Sequence, residues 1–560
     1  MITLKFGGTS MGSARRILDS VDIMIAQAKN ERISVVVSAV AGVSNKLQES
    51  IDGCITGKTS DAYVSELRHF HEDICSEIQS QLAGFNAGAV MVRLNEKFSE
   101  LEKLLNAVSS FGECTDTAHC RIMGMGELLC VPIVEEVLLA KQQSVVVLNS
   151  RKYIITMGNQ KEGDPDYIKT AENLKQYRDG ESNSKSRILL FPGFICSWIG
   201  GTGMDAVPGL LGRNGSDFSA AIIGASLGSS KVQFWTDVDG IYTADPRVVK
   251  DAILVDDMTY EEAMELAFFG SKVLHPKTLA PLAAKGIEAW SLNSMDPRVR
   301  GTRIGKGPFE SSNSVGPVRG ISCLKNTSMI SVSGTGMKGR SGTASRIFAA
   351  VSSAGISILL ITQSSSEYTI SFCVRDEVAD RASDVIAKEF ELEIRDGIIN
   401  PVEVKKNCAI VSIVGDGMKQ NRGVAGRFFD ALASQDINIL AIAQGSSERS
   451  ISTVINGEFG DLAVRIAHRF FFNTAQSIEV FAFGAGNIGG TLLDQIRDQH
   501  DKLLAQNIDI KVMAISTIDG LMINEDGIDL TNWRETTKKM PLKSNVDDII
   551  AFVKDKKPLN

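Results

Sequence analysis

The first 300 residues alternate short apolar runs with stretches that carry apolar residues at helical spacing. The runs at 33–38, 145–148 and 188–191 are largely apolar or β-branched, as in strands covered on both faces of a parallel sheet. Residues 14–28 and 128–140 carry the helical period between such runs. This alternation predicts an α/β sandwich from residue 1 to about residue 305.

The chain then changes composition and repeats itself. Gly, Lys, Pro and Ser dominate residues 301–313, which predicts a linker. Beyond it, Gly-Thr-Gly-Met-Lys at 334–338 recurs as Gly-Asp-Gly-Met-Lys at 415–419, and Ser-Ser-Glu recurs at the same shift of 81 residues. A repeat without a gap predicts two copies of one small β-α-β-β unit, with a strand such as 356–361 after the helix.

A third pattern begins at Ile478. An apolar run over 478–483 precedes Gly484-Ala485-Gly486-Asn487-Ile488-Gly489, and a helical stretch follows from Gly490. Strand, glycine-rich turn and helix in this order are typical of dinucleotide binding. The next strand, predicted over 510–515, ends in Ser-Thr rather than in the acid that holds a ribose, so the sequence shows no preference between NAD and NADP.

Composition narrows the class of protein. The 560 residues suffice for three or four domains, and 43% apolar with 22% charged residues is ordinary for a globular chain. A net charge of −8 without a basic cluster argues against nucleic-acid and membrane partners. Nine scattered cysteines without zinc-type spacing predict reduced thiols and no resident metal. With no apolar run of about 18 residues and no presequence before Ile2, we expect a cytoplasmic protein.

The strand end Lys5-Phe6-Gly7-Gly8-Thr9-Ser10 is suited to phosphate. Glycines allow the backbone to approach a phosphate closely, and their N–H groups and the lysine oppose its charge. The motif therefore indicates phosphoryl transfer.

Three further residues could recognise an α-amino acid. Arg213 lies in the Gly-rich turn 212–217 and could grip a carboxylate with two bonds, while Glu127 at a predicted helix start could take an ammonium group. Ser44 follows the second strand. Asp217 could equally be a helix N-cap, and Glu127 a simple first-turn acid.

A second cluster over 235–247 combines a strand end, acids, an aromatic ring and an arginine. It fits a nucleotide cradle, with Tyr242 as a stacking or hydrogen-bonding group, Arg247 on phosphate and Lys272 as a second cation. Asx-type turns and surface lysines explain the same residues equally well.

Taken together, these segments resemble the aspartokinases of the amino acid kinase family in order and spacing. The repeat resembles the paired ACT regulatory modules of these enzymes, and 361–367 with 443–448 are similar to the threonine-sensitive bifunctional type. The part after Ile478 resembles the beginning of the homoserine dehydrogenase that this type carries. The resemblance implies a three-layer α/β sandwich, two βαββαβ-type ACT modules and the start of a Rossmann fold.

The implied boundaries are 1–305 for the kinase domain, 306–402 for linker and first ACT module, 403–476 for the second, and 477–560 for a partial dehydrogenase domain. The resemblance implies ATP- and Mg²⁺-dependent phosphorylation of the side-chain carboxylate of L-aspartate, the first step toward threonine, lysine and methionine. An ionised carboxylate attacks without a general base. The implied catalytic residues are Lys5, Gly7, Gly8 and Arg213. The implied substrate contacts are Ser38, Ser44, Glu127, Arg213, Ser216 and Asp217. The implied nucleotide contacts are Lys5, Gly8, Ser10, Thr236, Asp237, Tyr242, Arg247 and Lys272.

For the ACT pair the resemblance implies feedback inhibition by L-threonine and a homo-oligomer, dimer or tetramer, formed through these modules. The implied allosteric residues are Gln363, Asn438, Ile439 and Gln444. Polar caps at strand ends are the structural alternative for the two glutamines.

The resemblance to the dehydrogenase breaks off before its catalytic residues. We therefore expect no homoserine dehydrogenase activity from this chain, and Gly484, Gly486 and Gly489 as an unfinished NAD(P) turn. Two other functions stay open: a kinase for glutamate or acetylglutamate, and an amino-acid sensor with an inactive kinase domain. Glu127 argues against acetylglutamate, because an acetylated amine offers no cation.

Overall fold

The computed structural model describes residues 1–178, 187–200, 205–269, 274–307, 309, 316–337, 341–363, 368–419, 421–472, 476–504, 508–517, 520–524, 527–537 and 546–556. The chain forms two compact units. The first holds residues 1–246, 251–314 and 414–416, and the second holds 247–250, 315–413 and 417–560. Within the described residues, no helix combines the length and apolar character needed to cross a membrane.

The first unit contains twelve strands in its described residues. They are β1 (Ile2–Phe6), β2 (Ile33–Val37), β3 (Val145–Val147), β4 (Ile155–Gly158), β5 (Gly163–Pro165), β6 (Ile188–Pro192), β7 (Ile195–Trp198), β8 (Val207–Leu210), β9 (Lys231–Thr236), β10 (Asp257–Thr259), β11 (Glu288–Asn293) and β12 (Thr302–Gly305). Eight form a sheet in the order β10-β12-β11-β9-β1-β2-β6-β3, in which β11 through β3 run parallel. The other four form a small sheet, β5-β4-β7-β8.

Helices cover both faces of the large sheet. They are α1 (Ala14–Ala28), α2 (Val43–Ile55), α3 (Asp61–Gln81), α4 (Ala87–Phe111), α5 (Asp116–Met123), α6 (Met125–Ala140), α7 (Tyr167–Arg178), α8 (Gly215–Leu227), α9 (Tyr260–Phe268) and α10 (Pro276–Lys285). Successive residues of β2 point to opposite cores: Val35 and Val37 join the core under α1 to α6, and Val36 joins the core under α7 to α10. The predicted three-layer α/β sandwich is confirmed.

The predicted linker over 301–313 is wrong at its beginning. Residues 302–305 form β12, which pairs antiparallel with β11 (Trp290 opposite Arg303) inside the large sheet. The hydroxyl of buried Thr302 donates to the carbonyl of Val255 at 2.6 Å, so this polar side chain lies in the core with its hydrogen bond made. Residues 308 and 310–313 of the predicted linker lie outside the described residues.

The second unit is built around a six-stranded sheet in the order β14-β15-β13-β16-β18-β17. Its strands are β13 (Gly320–Ser333), β14 (Leu360–Gln363), β15 (Thr369–Arg375), β16 (Glu403–Val414), β17 (Ile439–Gln444) and β18 (Ser450–Asn456). Its helices are α11 (Thr343–Ser353), α12 (Ala379–Glu389), α13 (Glu391–Arg395), α14 (Val424–Ala433) and α15 (Gly460–Phe472). The two predicted copies thus appear as two strand–helix–strand–strand–helix runs.

The long strands β13 and β16 bend at equivalent asparagines. Asn326 and Asn407, 81 residues apart like the motifs of the repeat, have φ of 57° and 54°. One residue further on, the hydroxyl of Thr327 donates to the carbonyl of Cys408 at 2.9 Å. Asparagine tolerates this left-handed conformation better than most residues.

One strand of the repeat begins later than predicted. The prediction of a strand over 356–361 is wrong for 356–359, because the cap of α11 extends to Ile356: Gly355 has φ of 67°, and the N–H of Ile356 donates to the carbonyl of Val351. The strand therefore starts at Leu360.

A three-stranded sheet completes the second unit. It contains β19 (Gln476–Phe483), β20 (Ile508–Ser516) and β21 (Leu521–Ile523), with helices α16 (Asn487–Leu504), α17 (Trp533–Thr537) and α18 (Val546–Lys556). β19 and β20 are parallel and α16 connects them, so the strand–turn–helix–strand order predicted from Ile478 is confirmed.

Candidate active site

The loop after β1 lies at the carboxyl ends of parallel strands. The N–H of Gly7 donates to the carbonyl of Trp235 at the end of β9, at 3.3 Å. A Cβ on Gly8 would lie 3.3 Å from the carbonyl oxygen of Ala39, so the loop packs closely against the chain after β2. The hydroxyl of Ser10 lies 2.8 Å from that of Ser294. In α/β sheets this edge is where ligands bind.

Lys5 forms an ion pair with Asp217. Nζ of Lys5 lies 2.6 Å from Oδ1 of Asp217, and the side chains are only 12% and 16% exposed. Asp217 stands in the first turn of α8, whose N-cap residue is Asn214, so the alternative of Asp217 as N-cap is wrong. Nζ also lies beside Gly7, 3.1 Å from where a Cβ on that residue would stand. The lysine and the glycine backbone therefore face the same space.

Glu127 is a buried carboxyl in the first turn of α6, only 3% exposed. Oε1 accepts a hydrogen bond from the hydroxyl of Ser216 at 3.2 Å, and Oε2 is buried without a partner in the described residues. Burial raises the pKa of Glu127 to about 7, against hydrogen bonds and the charge of Lys5, which lower it. A buried carboxylate oxygen of this kind is suited to a cationic ligand.

The three predicted substrate serines, Ser38, Ser44 and Ser216, differ in their surroundings. The hydroxyl of Ser216 lies 3.4 Å from that of Ser38, which joins Ser38 to the Glu127 cluster. Ser44 is a partly exposed residue in the first turn of α2.

Arg213 is exposed in a turn that begins with Gly212. Gly212 has φ of 74°, and a Cβ there would lie 2.8 Å from Cγ of Glu162, so glycine is required for both backbone and space. The turn leads directly into α8, which also carries Ser216 and Asp217. Arg213 is therefore an exposed residue that lies shortly before Ser216 and Asp217 in the chain.

The predicted nucleotide residues from the end of β9 onward do not all lie together in the part of the chain that the structure describes. Thr236 ends β9, and its hydroxyl donates to Oδ1 of Asp237 at 3.0 Å, while Tyr242 donates to Oδ2 of Asp239 at 2.9 Å. Arg247 clusters with the second unit, and Lys272 lies outside the described residues.

Asn293 and Ser294 were not identified from the sequence, and Asp239 was identified only as one of the acids of the cluster 235–247. Asp239 accepts from Nδ2 of Asn293 at 2.6 Å, and Ser294 donates to the carbonyl of Thr236 at 2.9 Å. Asn293 ends β11 directly opposite Thr236. The parallel pairing of β11 with β9 would have indicated them, because parallel strands bring their carboxyl ends together.

The second unit holds a cavity of about 620 Å³ near the start of α14. Its lining includes the exposed side chains of Arg422, Gln444 and Glu448. Gln363 ends β14 and is exposed, while Asn438 and Ile439 stand at the start of β17. Of the predicted allosteric residues, the structure places Gln444 in the cavity wall.

The glycine turn after β19 is tightly built. Gly484 has φ of 89°, and a Cβ on Gly489 would lie 1.9 Å from the carbonyl oxygen of Gly484. A Cβ on Gly486 would meet nothing within 4 Å, so its lack of a side chain leaves open space.

Comparison with known proteins gives consistent matches. The amino acid kinase family matches residues 1–293, and the ACT domain matches residues 330–390 and 411–471, which confirms the predicted repeat. The bifunctional aspartokinase/homoserine dehydrogenase of Haemophilus influenzae is 37% identical over 555 residues, covering 99% of this chain and 66% of that protein. This chain thus spans about two thirds of the length of that relative.

Two solved structures of aspartokinase III from Escherichia coli are similar to this chain. The complex with aspartate and ADP (R-state) has a TM-score of 0.71 at 25% identity, covering 84% of this chain and 100% of the other. The complex with lysine and aspartate (T-state) has a TM-score of 0.66 at 26% identity, covering 84% and 99%.

Proposed function

The chain belongs to the amino acid kinase family, and on that premise we propose that it transfers the γ-phosphoryl group of ATP to the side-chain carboxylate of L-aspartate. The observation that carries the proposal is the juxtaposition of two charges from distant parts of the chain. Lys5 faces the glycine loop, and the buried Glu127 stands behind Ser216, one residue from the Asp217 that pairs with Lys5. A phosphate and an ammonium group would thus be held side by side.

The substrate's α-groups are assigned to two residues of opposite charge. The unpartnered Oε2 of Glu127 would accept the ammonium group, and the exposed guanidinium of Arg213 would take the α-carboxylate with two bonds. Ser38 and Ser216 would line the path between them, with Ser44 at the margin. The side-chain carboxylate is then the part of aspartate left facing Lys5.

The phosphates are assigned to the loop after β1. The backbone N–H of Gly8 and the ammonium of Lys5 would oppose the negative charge that develops on the transferred group. The N–H of Gly7 already donates to the carbonyl of Trp235, so Gly7 would contribute the close approach that its missing side chain allows rather than a hydrogen bond. When bound, Mg²⁺ would bridge the phosphates and neutralise part of their charge. Asp217, paired to Lys5 at 2.6 Å, holds the lysine in place. The attacking carboxylate is ionised at neutral pH, so no side chain has to remove a proton.

The remainder of the nucleotide is assigned to the chain after β9. Ser10, Thr236, Asp237 and Tyr242 border the same end of the sheet as Gly7, and we extend the site to Arg247 and Lys272 on the resemblance alone.

We also propose an amino-acid effector site in the cavity beside α14. Its guanidinium, carboxylate and amide, from Arg422, Glu448 and Gln444, match the charged ends and side-chain hydroxyl of threonine. Lysine occupies the T-state structure of E. coli aspartokinase III, which makes it the rival effector. Gln363, Asn438 and Ile439 would complete the effector contacts, in an oligomer joined through the ACT modules.

Acyl-phosphate formation tests the proposed reaction. The purified chain is incubated with ATP, Mg²⁺ and one acidic amino acid, and the acyl phosphate is trapped with hydroxylamine. We expect hydroxamate from aspartate and none above background from glutamate or acetylglutamate. Lys5→Met should lower the rate about 10²-fold or more, because one charge that stabilises the transition state is lost. Equal rates with glutamate, or an unchanged rate in the variant, would contradict the proposal.

A further inference from the structure

The chain after β9 contains a hydrogen-bond relay whose direction is set at every link. The N–H of Met295 donates to Oδ1 of Asn293 at 2.8 Å, which turns Nδ2 of that amide away from the backbone. Nδ2 donates to Oδ1 of Asp239 at 2.6 Å, and the Tyr242 hydroxyl donates to Oδ2 at 2.9 Å. A backbone N–H can only donate and a carboxylate can only accept, so each donor is identified by its chemistry.

Because of the relay, the phenol of Tyr242 can form only one kind of hydrogen bond with a ligand, one in which its oxygen accepts. Its single proton is engaged by Asp239, so its free lone pair can only accept. Burial and the Asp239 carboxylate both raise the pKa of Tyr242, so the phenol stays protonated. Because Asp239 is itself held by Asn293, this orientation does not depend on a freely rotating hydroxyl.

The relay stands next to the loop assigned to phosphate. Asn293 is paired with Thr236 at the carboxyl ends of two parallel strands, and Ser294, the next residue, contacts the hydroxyl of Ser10 at 2.8 Å. Tyr242 is partly exposed at this end of the sheet.

We infer that Asp239 and Asn293 determine the nucleotide base that the site accepts, by making Tyr242 an obligate acceptor. The inference rests on the proposed function, in which Tyr242 meets the nucleotide. Adenine carries an exocyclic amine, a donor, where guanine carries a carbonyl oxygen, an acceptor. An acceptor-only phenol therefore pairs with adenine and opposes guanine, so the site selects ATP over GTP.

Asp239→Asn tests the inference because it should reverse the relay. Asn293 still presents Nδ2, so the new amide must turn its oxygen to Asn293 and its NH₂ to Tyr242. The phenol then accepts from residue 239 and its proton points outward. We expect the ratio of kcat/KM for ATP to that for GTP to fall on the order of tenfold or more, which is the effect of losing one hydrogen bond. The kcat/KM for GTP itself should rise.

Two control variants separate specificity from general damage. Tyr242→Phe should lower ATP use without raising GTP use, since it removes the acceptor and supplies no donor. Asp251→Asn, at an exposed carboxylate in the following loop, should leave the ratio unchanged. A wild-type chain that uses GTP as well as ATP, or an Asp239→Asn variant that loses both equally, would overturn the inference.

A failure of the proposed reaction is distinguishable from a failure of this inference. If neither nucleotide supports transfer to aspartate, titration calorimetry with ADP and GDP on the same four proteins measures the base preference directly. Tighter ADP binding that weakens relative to GDP in Asp239→Asn supports the relay, and equal binding of both by wild type overturns it.

Discussion

At the scale of single residues, the proposed aspartate site requires Glu127 to carry a charge in a buried position. Its pKa is raised to about 7 because burial disfavours the charged form, so in the free enzyme it loses its charge as the pH falls below 7. An uncharged carboxyl cannot pair with the ammonium group of aspartate.

We therefore expect kcat/KM for aspartate to fall about tenfold per pH unit below pH 7, following the fraction of ionised Glu127. Initial rates at saturating ATP between pH 5.5 and 8.5 provide the profile. Glu127→Gln should be about 10²-fold slower at pH 8 and flat over this range, because its amide does not titrate and lacks the charge. A variant that keeps the wild-type slope would remove Glu127 from the ammonium site.

Contacts between residues that are distant in the sequence could not be predicted from the sequence. Lys5 and Glu127 could be singled out from their glycine neighbours, and the structure places Lys5 near the end of β1 and Glu127 in the first turn of α6. The contact between Lys5 and Asp217 could not be predicted, because it depends on the packing of α8 against β1 in the folded chain. The contact between Asp239 and Asn293 could not be predicted for the same reason, because these two residues meet only when β9 and β11 pair.

At the scale of elements, the local sequence pattern was sufficient to predict a helix where the helical period extends over several turns and a capping residue precedes it. The periodic segment 14–28 predicts α1 at its observed bounds, since the hydroxyl of Ser13 accepts from the N–H of Arg16 and begins the helix. β12 was misread because four residues beginning with Thr302 and ending with Gly305 carry too little pattern, and their burial comes from the neighbouring strand.

Helix α3 contains a fully buried histidine, His71. His71 donates through Nδ1 to the carbonyl of Leu67, its Nε2 is buried without a partner in the described residues, and its ring lies edge-on to Phe98. Burial lowers its pKa below the usual 6.5, so the unfolded chain binds the proton more readily.

Stability from His71 is therefore fully present above pH 6.5 and lost as the pH falls, by about 1.4 kcal/mol per pH unit until the folded histidine titrates. His71→Leu should reduce the drop in Tm between pH 7.5 and 5.5, measured by thermal unfolding. His69→Leu, an exposed position of the same helix, serves as control and should retain the drop. Identical drops in both variants would exclude His71 as the cause.

The bend of β13 gives a second test at this scale. Asn326 is exposed and has φ of 57°, so its side chain matters chiefly through the backbone conformation. Asn326→Gly should leave Tm unchanged, whereas Asn326→Val should cost about 1–2 kcal/mol, because a β-branched residue resists this conformation. Equal Tm values for both variants would show that the bend is not set by this residue.

At the scale of the whole molecule, the proposed effector must bind one state of the enzyme better than the other. A coupling of about 1–3 kcal/mol is typical and changes the apparent affinity between fivefold and 150-fold. Gln444→Ala should raise the threonine concentration that halves the rate about tenfold and spare the rate without threonine. Gln495→Ala, exposed on α16, is the matched control. Unchanged sensitivity to threonine in Gln444→Ala would remove that residue from the effector site.

In the proposed site, the ammonium and α-carboxylate groups of aspartate are bound on one side, so that its side-chain carboxylate meets the phosphate on the other. Borohydride reduction of the acyl phosphate identifies the carboxylate that was phosphorylated, because the reduced carbon becomes an alcohol. We predict homoserine as the product with the wild-type chain, ATP and aspartate, and its near absence with Lys5→Met. Reduction to the isomer with the alcohol at the α-carboxyl carbon, or no acyl phosphate from aspartate, would contradict it.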